Sequence, residues 1–216
     1  MSLDVVVVDY DSGNLRSVEK AIESLGARPT VTRDPARVRD AGALVLPGQG
    51  AFRDCMSKLE AFGLAGPVRD RIVEGVPFFG ICVGYQLLFE ESEEFGHCAG
   101  LGILRGRVVR FPENLCEAGE RLKVPHMGWN RIWKRRDVPV LTPVEDGAYV
   151  YFVHSYYPVP EDSEVVATTT RYGVDFASSV ARGNLFASQF HPEKSQRVGL
   201  AMLRGFLSQA GKESAP

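Results

Sequence analysis

The chain is short of the residues that build metal centres and cross-linked scaffolds: four cysteines and four histidines stand in 216 residues. No two of Cys55, Cys82, Cys98 and Cys116 are in C-x-x-C spacing, and no second ligand cluster follows His97 and Cys98. Neither a metal site nor a disulfide framework is therefore expected, and Cys55, Cys98 and Cys116 read as structural thiols. Long hydrophobic runs are missing too, since no stretch approaches the roughly 18 to 20 apolar residues of a membrane-spanning helix. The opening MSLDVVVVDY carries no basic leader or cleavage site, so no signal peptide is expected. An excess of one charge is also absent: a formal net charge of −2 removes the electrostatic case for nucleic acid or an anionic membrane. Repeats, linkers and low-complexity blocks do not occur. What remains is a cytoplasmic enzyme without a cofactor, expected as a single domain over residues 1–210, with 211–216 as a frayed tail.

The residues present alternate in type. Leu3 to Val8 is a continuous apolar run that reads as a buried strand, and DYDSGN after it is a loop. Leu15, Val18, Ala21, Ile22 and Leu25 recur at helical spacing, and Gly26 stops the helix. Short strands at Pro29 to Thr32 and Ala43 to Leu46 follow. This alternation predicts an α/β fold with a mostly parallel sheet and flanking helices. From Gly102 onward the strands shorten and are separated by Gly, Pro, Asp and Asn, which predicts a more antiparallel C-terminal portion. Ser195 to Leu207 closes the fold as a helix.

Within this frame Val76 to Phe89, VPFFGICVGYQLLF, stands out. An apolar run leads to Cys82 between Gly80 and Gly84, and residues suited to the first turns of a helix follow. G-x-C-x-G is the thiol counterpart of a nucleophile elbow, in which flanking glycines let the chain turn sharply from strand to helix. A buried cysteine at the end of a core strand accounts for these residues alone equally well. Pro47-Gly48-Gln49-Gly50 also follows a strand directly. In isolation it is a turn; beside a nucleophile its backbone N–H groups become oxyanion donors, with the Val83 amide as the natural second one.

A nucleophilic thiol needs a base, and the base needs a partner. His97 lies in a polar loop, while packing or an interface explains His126 and His154 in their aromatic-rich segments. His191 follows the strand Leu185 to Gln189 and stands in His191-Pro192-Glu193, where spacing of two places both side chains on one face of extended chain. Pro192 favours that geometry, so Glu193 is placed to accept a hydrogen bond from one imidazole nitrogen while the other faces the thiol.

Together, G-x-C-x-G-x-Q at Gly80 to Gln86, PGxG at Pro47 to Gly50 and HPE at His191 to Glu193 resemble the class I (triad) glutamine amidotransferases. The blocks PHMGWN (Pro125 to Asn130), YFVHSY (Tyr151 to Tyr156) and DYDSGNLRSVEKA (Asp9 to Ala21) resemble, within that class, the glutaminase subunits of imidazole glycerol phosphate synthases. The resemblance implies a flavodoxin-like sheet and hydrolysis of glutamine through a thioester on Cys82. His191 would move the proton and Glu193 would orient it. Gly48, Gln49 and Val83 would hold the oxyanion. Gly50, Gln86, Glu94, Ser155 and Tyr156 would bind the substrate's amino-acid end, although Glu94 belongs to an acidic run that also suits a solvated helix face. It further implies a heterodimer with a separate (β/α)₈-barrel cyclase subunit that receives ammonia. Asn14, Trp129, Asn130, Tyr151 and Lys194 are the interface candidates by position, and a core role for Trp129 stays open. The chain stops soon after the HPE helix, which suits an ammonia user on another chain. Relatives often carry a small aliphatic at Gln49, so no role for its side chain is implied. An amidotransferase of anthranilate or aminodeoxychorismate synthesis, a stand-alone γ-glutamyl cysteine hydrolase and a non-catalytic subunit are the competing readings.

Overall fold

The computed structural model describes residues 3–213. Sixteen strands appear among them: β1 Val5–Val8, β2 Thr30–Thr32, β3 Ala43–Gly48, β4 Phe78–Cys82, β5 Phe89–Ser92, β6 Cys98–Ala99, β7 Leu104–Arg110, β8 Cys116–Glu117, β9 Glu120–Arg121, β10 His126–Arg131, β11 Trp133–Lys134, β12 Tyr149–His154, β13 Tyr156–Pro160, β14 Val166–Tyr172, β15 Val174–Arg182 and β16 Leu185–Ser188. The helices are α1 Leu15–Glu23, α2 Pro35–Arg39, α3 Phe52–Ala61, α4 Ala65–Val73, α5 Val83–Gln86 and α6 Gln196–Glu213.

Eight strands form the main sheet in the order β11-β14-β15-β16-β4-β3-β1-β2. From β2 to β16 every pairing is parallel, and from β16 to β11 every pairing is antiparallel. The expected mixed sheet is therefore observed, with its changeover at β16. All four valines of β1 are fully buried. Burial of a valine-sized side chain contributes about 1.5–3 kcal/mol, against a span of about 1 kcal/mol for intrinsic strand propensity. Burial on both sheet faces thus sets this strand. A second sheet (β13-β7-β5-β6) and a two-stranded β10-β12 ribbon complete the β structure around the site.

The topology brings distant residues to one edge. β4 lies between β3 and β16 and is parallel to both, so the three strands end on the same side. Gly48 pairs with Cys82, and Ser188 with Ile81. Gly48, Cys82 and the segment leading to His191 therefore meet at the carboxyl edge, where ligands gather in such sheets.

Several expectations change. The elbow helix is one turn, Val83–Gln86, and the chain re-enters β structure at Phe89. The Leu87 and Leu88 carbonyls are taken by the amides of Leu101, Ile103 and Leu104 at 2.8–2.9 Å, leaving no acceptors for a further turn. The acidic run consequently lies on β5 and the bend after it, not on a helix. Residues 52–73, unassigned from sequence, form α3 and α4; α3 buries Phe52, Cys55, Met56 and Leu59 at helical spacing. Cys116 is exposed, so packing does not explain that thiol. α6 continues through residues 211–213 of the expected tail, and 214–216 lie outside the described residues.

Candidate active site

Cys82 ends β4 with φ 55° and ψ −109°, a conformation rare for a residue with a Cβ. Close packing imposes it. A Cβ on Gly84 would lie 1.9 Å from the Leu46 carbonyl oxygen, and one on Gly48 would lie 2.6 Å from the Gly84 nitrogen. β3 and the elbow thus approach backbone to backbone, and side chains at those two positions would force them apart. Cys82 is 4% exposed, at the floor of a cleft of about 340 Å³.

His191 is extended (φ −98°, ψ 98°), as Pro192 after it requires, and Pro192–Lys194 then form one turn of 3₁₀ helix. His191 Nδ1 lies 2.9 Å from Glu193 Oε1, and both side chains are buried. Nδ1–H donates to the carboxylate. Nε2 is buried without a hydrogen-bond partner, in the cleft that Cys82 also lines. Burial disfavours the imidazolium, but a thiolate on Cys82 and the Glu193 carboxylate outweigh it and raise His191 to about 10. The Cys82 sulfur is thereby brought to the His191–Glu193 pair from more than a hundred positions away in sequence.

The expected oxyanion donors are only half assembled. Val83 opens α5, so its N–H lies outside the helical ladder. The Gln49 N–H instead donates to Ser12 Oγ at 3.2 Å, while the Ser12 hydroxyl donates to the Gln49 carbonyl at 2.6 Å. The Gly48–Gln49 peptide thus aims its N–H at Ser12 in this structure. Gly50, Gln86, Glu94, Ser155 and Tyr156 all line the cleft. Glu94 Oε2 accepts the Phe52 N–H at 2.6 Å, and burial raises its carboxyl above the usual range. Gln86 Nε2 donates to the Tyr156 carbonyl and to Gln189 Oε1, both at 3.0 Å, which leaves its own oxygen for a ligand. Gln189 is a site residue that the sequence reading missed.

Among known protein families, the model for glutamine amidotransferase class-I matches residues 6–210. The chain belongs to the class-I glutamine amidotransferase family. Imidazole glycerol phosphate synthase subunit HisH of Syntrophotalea carbinolica is 57% identical to this amidotransferase over 202 residues, 94% of this chain and 98% of that one. HisH of Geobacter sulfurreducens is 54% identical over 202 residues, 94% and 97% of the two chains. Among solved structures, a crystal structure of a glutamine amidotransferase superposes with TM-score 0.73 at 24% identity, over 95% of this chain and 98% of that chain. A chain of PurLQS from Thermotoga maritima superposes with TM-score 0.70 at 19% identity, covering both chains in full. At that identity the two structures show the shared fold.

The amidotransferase encloses two further histidines beside the cleft. His126 Nδ1 is 3.0 Å from His154 Nε2, and His154 Nδ1 is 2.9 Å from the Tyr156 carbonyl. A carbonyl only accepts, so His154 carries its proton on Nδ1 and His126 donates to it. Both rings pack among Phe111, Phe152 and Phe176. Burial pushes His126 down to about 4 and His154 to about 3. In the unfolded chain both protonate near pH 6.5. For this pair the folded state therefore loses no stability above pH 6.5, and the contribution of the two rings falls by several kcal/mol as pH drops from 6.5 toward 4. Denaturant unfolding followed across that window is expected to show this loss, with a His126→Gln variant giving a dependence shallower by about one proton.

The interface candidates separate by face. Trp129 and Tyr151 are register partners on the outer face of the β10-β12 ribbon, with ring centroids 6.0 Å apart. Lys194 Nζ lies 6.0 Å from the Tyr151 ring centroid. Trp129 is 47% exposed, which excludes the core role left open for it. Exposed Met127 and Tyr149 extend this apolar face. Asn130 alternates to the inner side, where its amide donates to the Arg171 carbonyl at 2.9 Å and reaches His126 Nε2 at 3.3 Å. Asn14 is at the start of α1, which packs beside the Pro192–Lys194 turn. Among the described residues, no helix is long and apolar enough to cross a membrane.

Proposed function

We propose that this chain is the glutaminase subunit of a cytoplasmic imidazole glycerol phosphate synthase, acting in histidine biosynthesis. The observation that carries the proposal is near-full-length identity above one half to proteins named HisH, in a chain whose Cys82 and His191 line one cleft with Glu193 paired to His191 behind it. In this reading the Cys82 sulfur attacks the side-chain carboxamide carbon of glutamine. The Val83 amide receives the oxyanion, joined by the Gln49 amide once that peptide turns from Ser12. The neighbouring glycines lower the steric cost of the turn, which makes it a switch for activation by the partner. Imidazolium Nε2–H of His191 protonates the departing nitrogen, and ammonia leaves a γ-glutamyl thioester on Cys82. Water then attacks the thioester, His191 takes its proton, the sulfur departs and glutamate is released. The net change is glutamine plus water to glutamate plus ammonia. Glu193 keeps the imidazole aligned and stabilises its charge. Gln86 Oε1 and Glu94 suit the substrate's α-ammonium.

Ammonia released into bulk water becomes ammonium and loses its nucleophilicity, so a partner must receive it across a sealed interface. The exposed Met127, Trp129 and Tyr149 face fits that partner, a (β/α)₈-barrel cyclase, because large aromatics suit interface centres. Mixing the chain with a HisH-partner cyclase and measuring glutamate release tests the proposal. Glutamine hydrolysis is expected to be weak in the isolated chain and to rise with the cyclase and its nucleotide ligand. Full activity in the isolated chain, unchanged by the cyclase, would favour a stand-alone γ-glutamyl hydrolase instead.

A further inference from the structure

Gln189 sits between β16 and His191 and is fully buried. Its backbone N–H donates to the Ser178 carbonyl at 2.9 Å, fixing it to β15. Its side chain bridges two groups: Oε1 lies 3.0 Å from Gln86 Nε2, and Nε2 lies 3.8 Å from Cys82 Sγ. The orientation of both amides follows from a third group. The Tyr156 carbonyl can only accept, so the Gln86 atom 3.0 Å from it is the NH₂. The second hydrogen of that NH₂ points at Gln189, which must present its oxygen there. The Gln189 NH₂ is then left facing the sulfur.

A carboxamide with no exposure is costly unless its polar atoms are used, and a hydrophobic side chain would fill the same space without that cost. A sulfur that carries negative charge in a buried site gains from a fixed N–H donor, because hydrogen bonds to ionised acceptors are the strong ones. We propose that Gln189 is a further catalytic residue, whose side-chain N–H stabilises the Cys82 sulfur as the anion that attacks glutamine and as the group that leaves the thioester. Gln86 and the Tyr156 carbonyl hold that N–H in position. The inference rests on Cys82 being the nucleophile.

The test is the pH dependence of Cys82 alkylation by iodoacetamide in the full chain, with the adduct located by peptide mass. Gln189→Met removes the donor without adding charge, and Gln189→Glu keeps the acceptor for Gln86 while setting an oxygen against the sulfur. Both are expected to move the alkylation profile to higher pH and to slow Cys82 modification at neutral pH by about tenfold or more, the loss typical of a hydrogen bond to a charged group. Glutamine turnover falls in parallel, and circular dichroism checks that each variant is folded. Should Gln189→Glu fail to fold, Gln189→Met alone decides. A folded Gln189→Met protein with the wild-type profile and rate overturns the inference. Glutamine hydrolysis surviving in Cys82→Ala would instead remove the premise, a separate outcome read on a separate variant.

Discussion

Cys82→Ala abolishes glutamine-dependent turnover of the reconstituted synthase and leaves turnover with supplied ammonia intact. The effect is expected to be total within assay limits, since losing the nucleophile of a comparable triad costs on the order of a million-fold. Alanine removes only the sulfur from a site that is 4% exposed. The strained backbone at φ 55° is imposed by the packing of Gly48 and Gly84 against Leu46 and the elbow, not by the cysteine. The variant should therefore fold and bind its partner, and separate assays with glutamine and with ammonium salt distinguish loss of chemistry from loss of assembly. Both activities vanishing together, with the complex intact, would mean that the division of labour between the subunits is wrong.

Replacing His191 by glutamine costs nearly as much, because no other imidazole can serve the sulfur. His154 also lines the cleft, but its Nδ1–H is committed to the Tyr156 carbonyl and its Nε2 accepts from His126. Burial holds it neutral, near 3. Glu193→Gln should give an intermediate loss, of order 10³-fold in kcat with little change in KM. The amide oxygen still accepts Nδ1–H, but the charge that helps hold His191 raised is gone. Removing that charge also moves the His191-dependent limb of the rate profile to lower pH. Steady-state kinetics with glutamine from pH 6 to pH 10, in the presence of the cyclase, read both quantities; equal losses in all three variants would argue against separate roles.

Much of this site was legible in the sequence because its parts are short and local. G-x-C-x-G places a cysteine where flanking glycines permit close backbone packing, and the structure shows Gly84 with no room for any side chain. His191-Pro192-Glu193 specifies its own geometry through Pro192, and the 2.9 Å contact follows from that spacing. The parallel run of strands from β1 to β4 was readable from unbroken apolar stretches. The one-turn length of α5 was not, because it depends on the Leu101 to Leu104 segment capturing carbonyls from across the fold. Gln189 escaped for a similar reason. Its partners are Gln86, Cys82 and the Tyr156 carbonyl, and nothing beside it in the chain marks its amide as used. The Ser12–Gln49 contact also joins two loops far apart in sequence, so the orientation of that peptide could not be read from PGxG.

The central claim is that Cys82 becomes covalently bonded to the substrate. Acid quenching of the glutamine-saturated complex, followed by peptide mass analysis, measures this directly. The expected result is one γ-glutamyl group on the peptide containing Cys82, accumulating further when Glu193→Gln slows its hydrolysis. Glutamate released at the wild-type rate by Cys82→Ala, or an adduct found only on Cys55, Cys98 or Cys116, would contradict it.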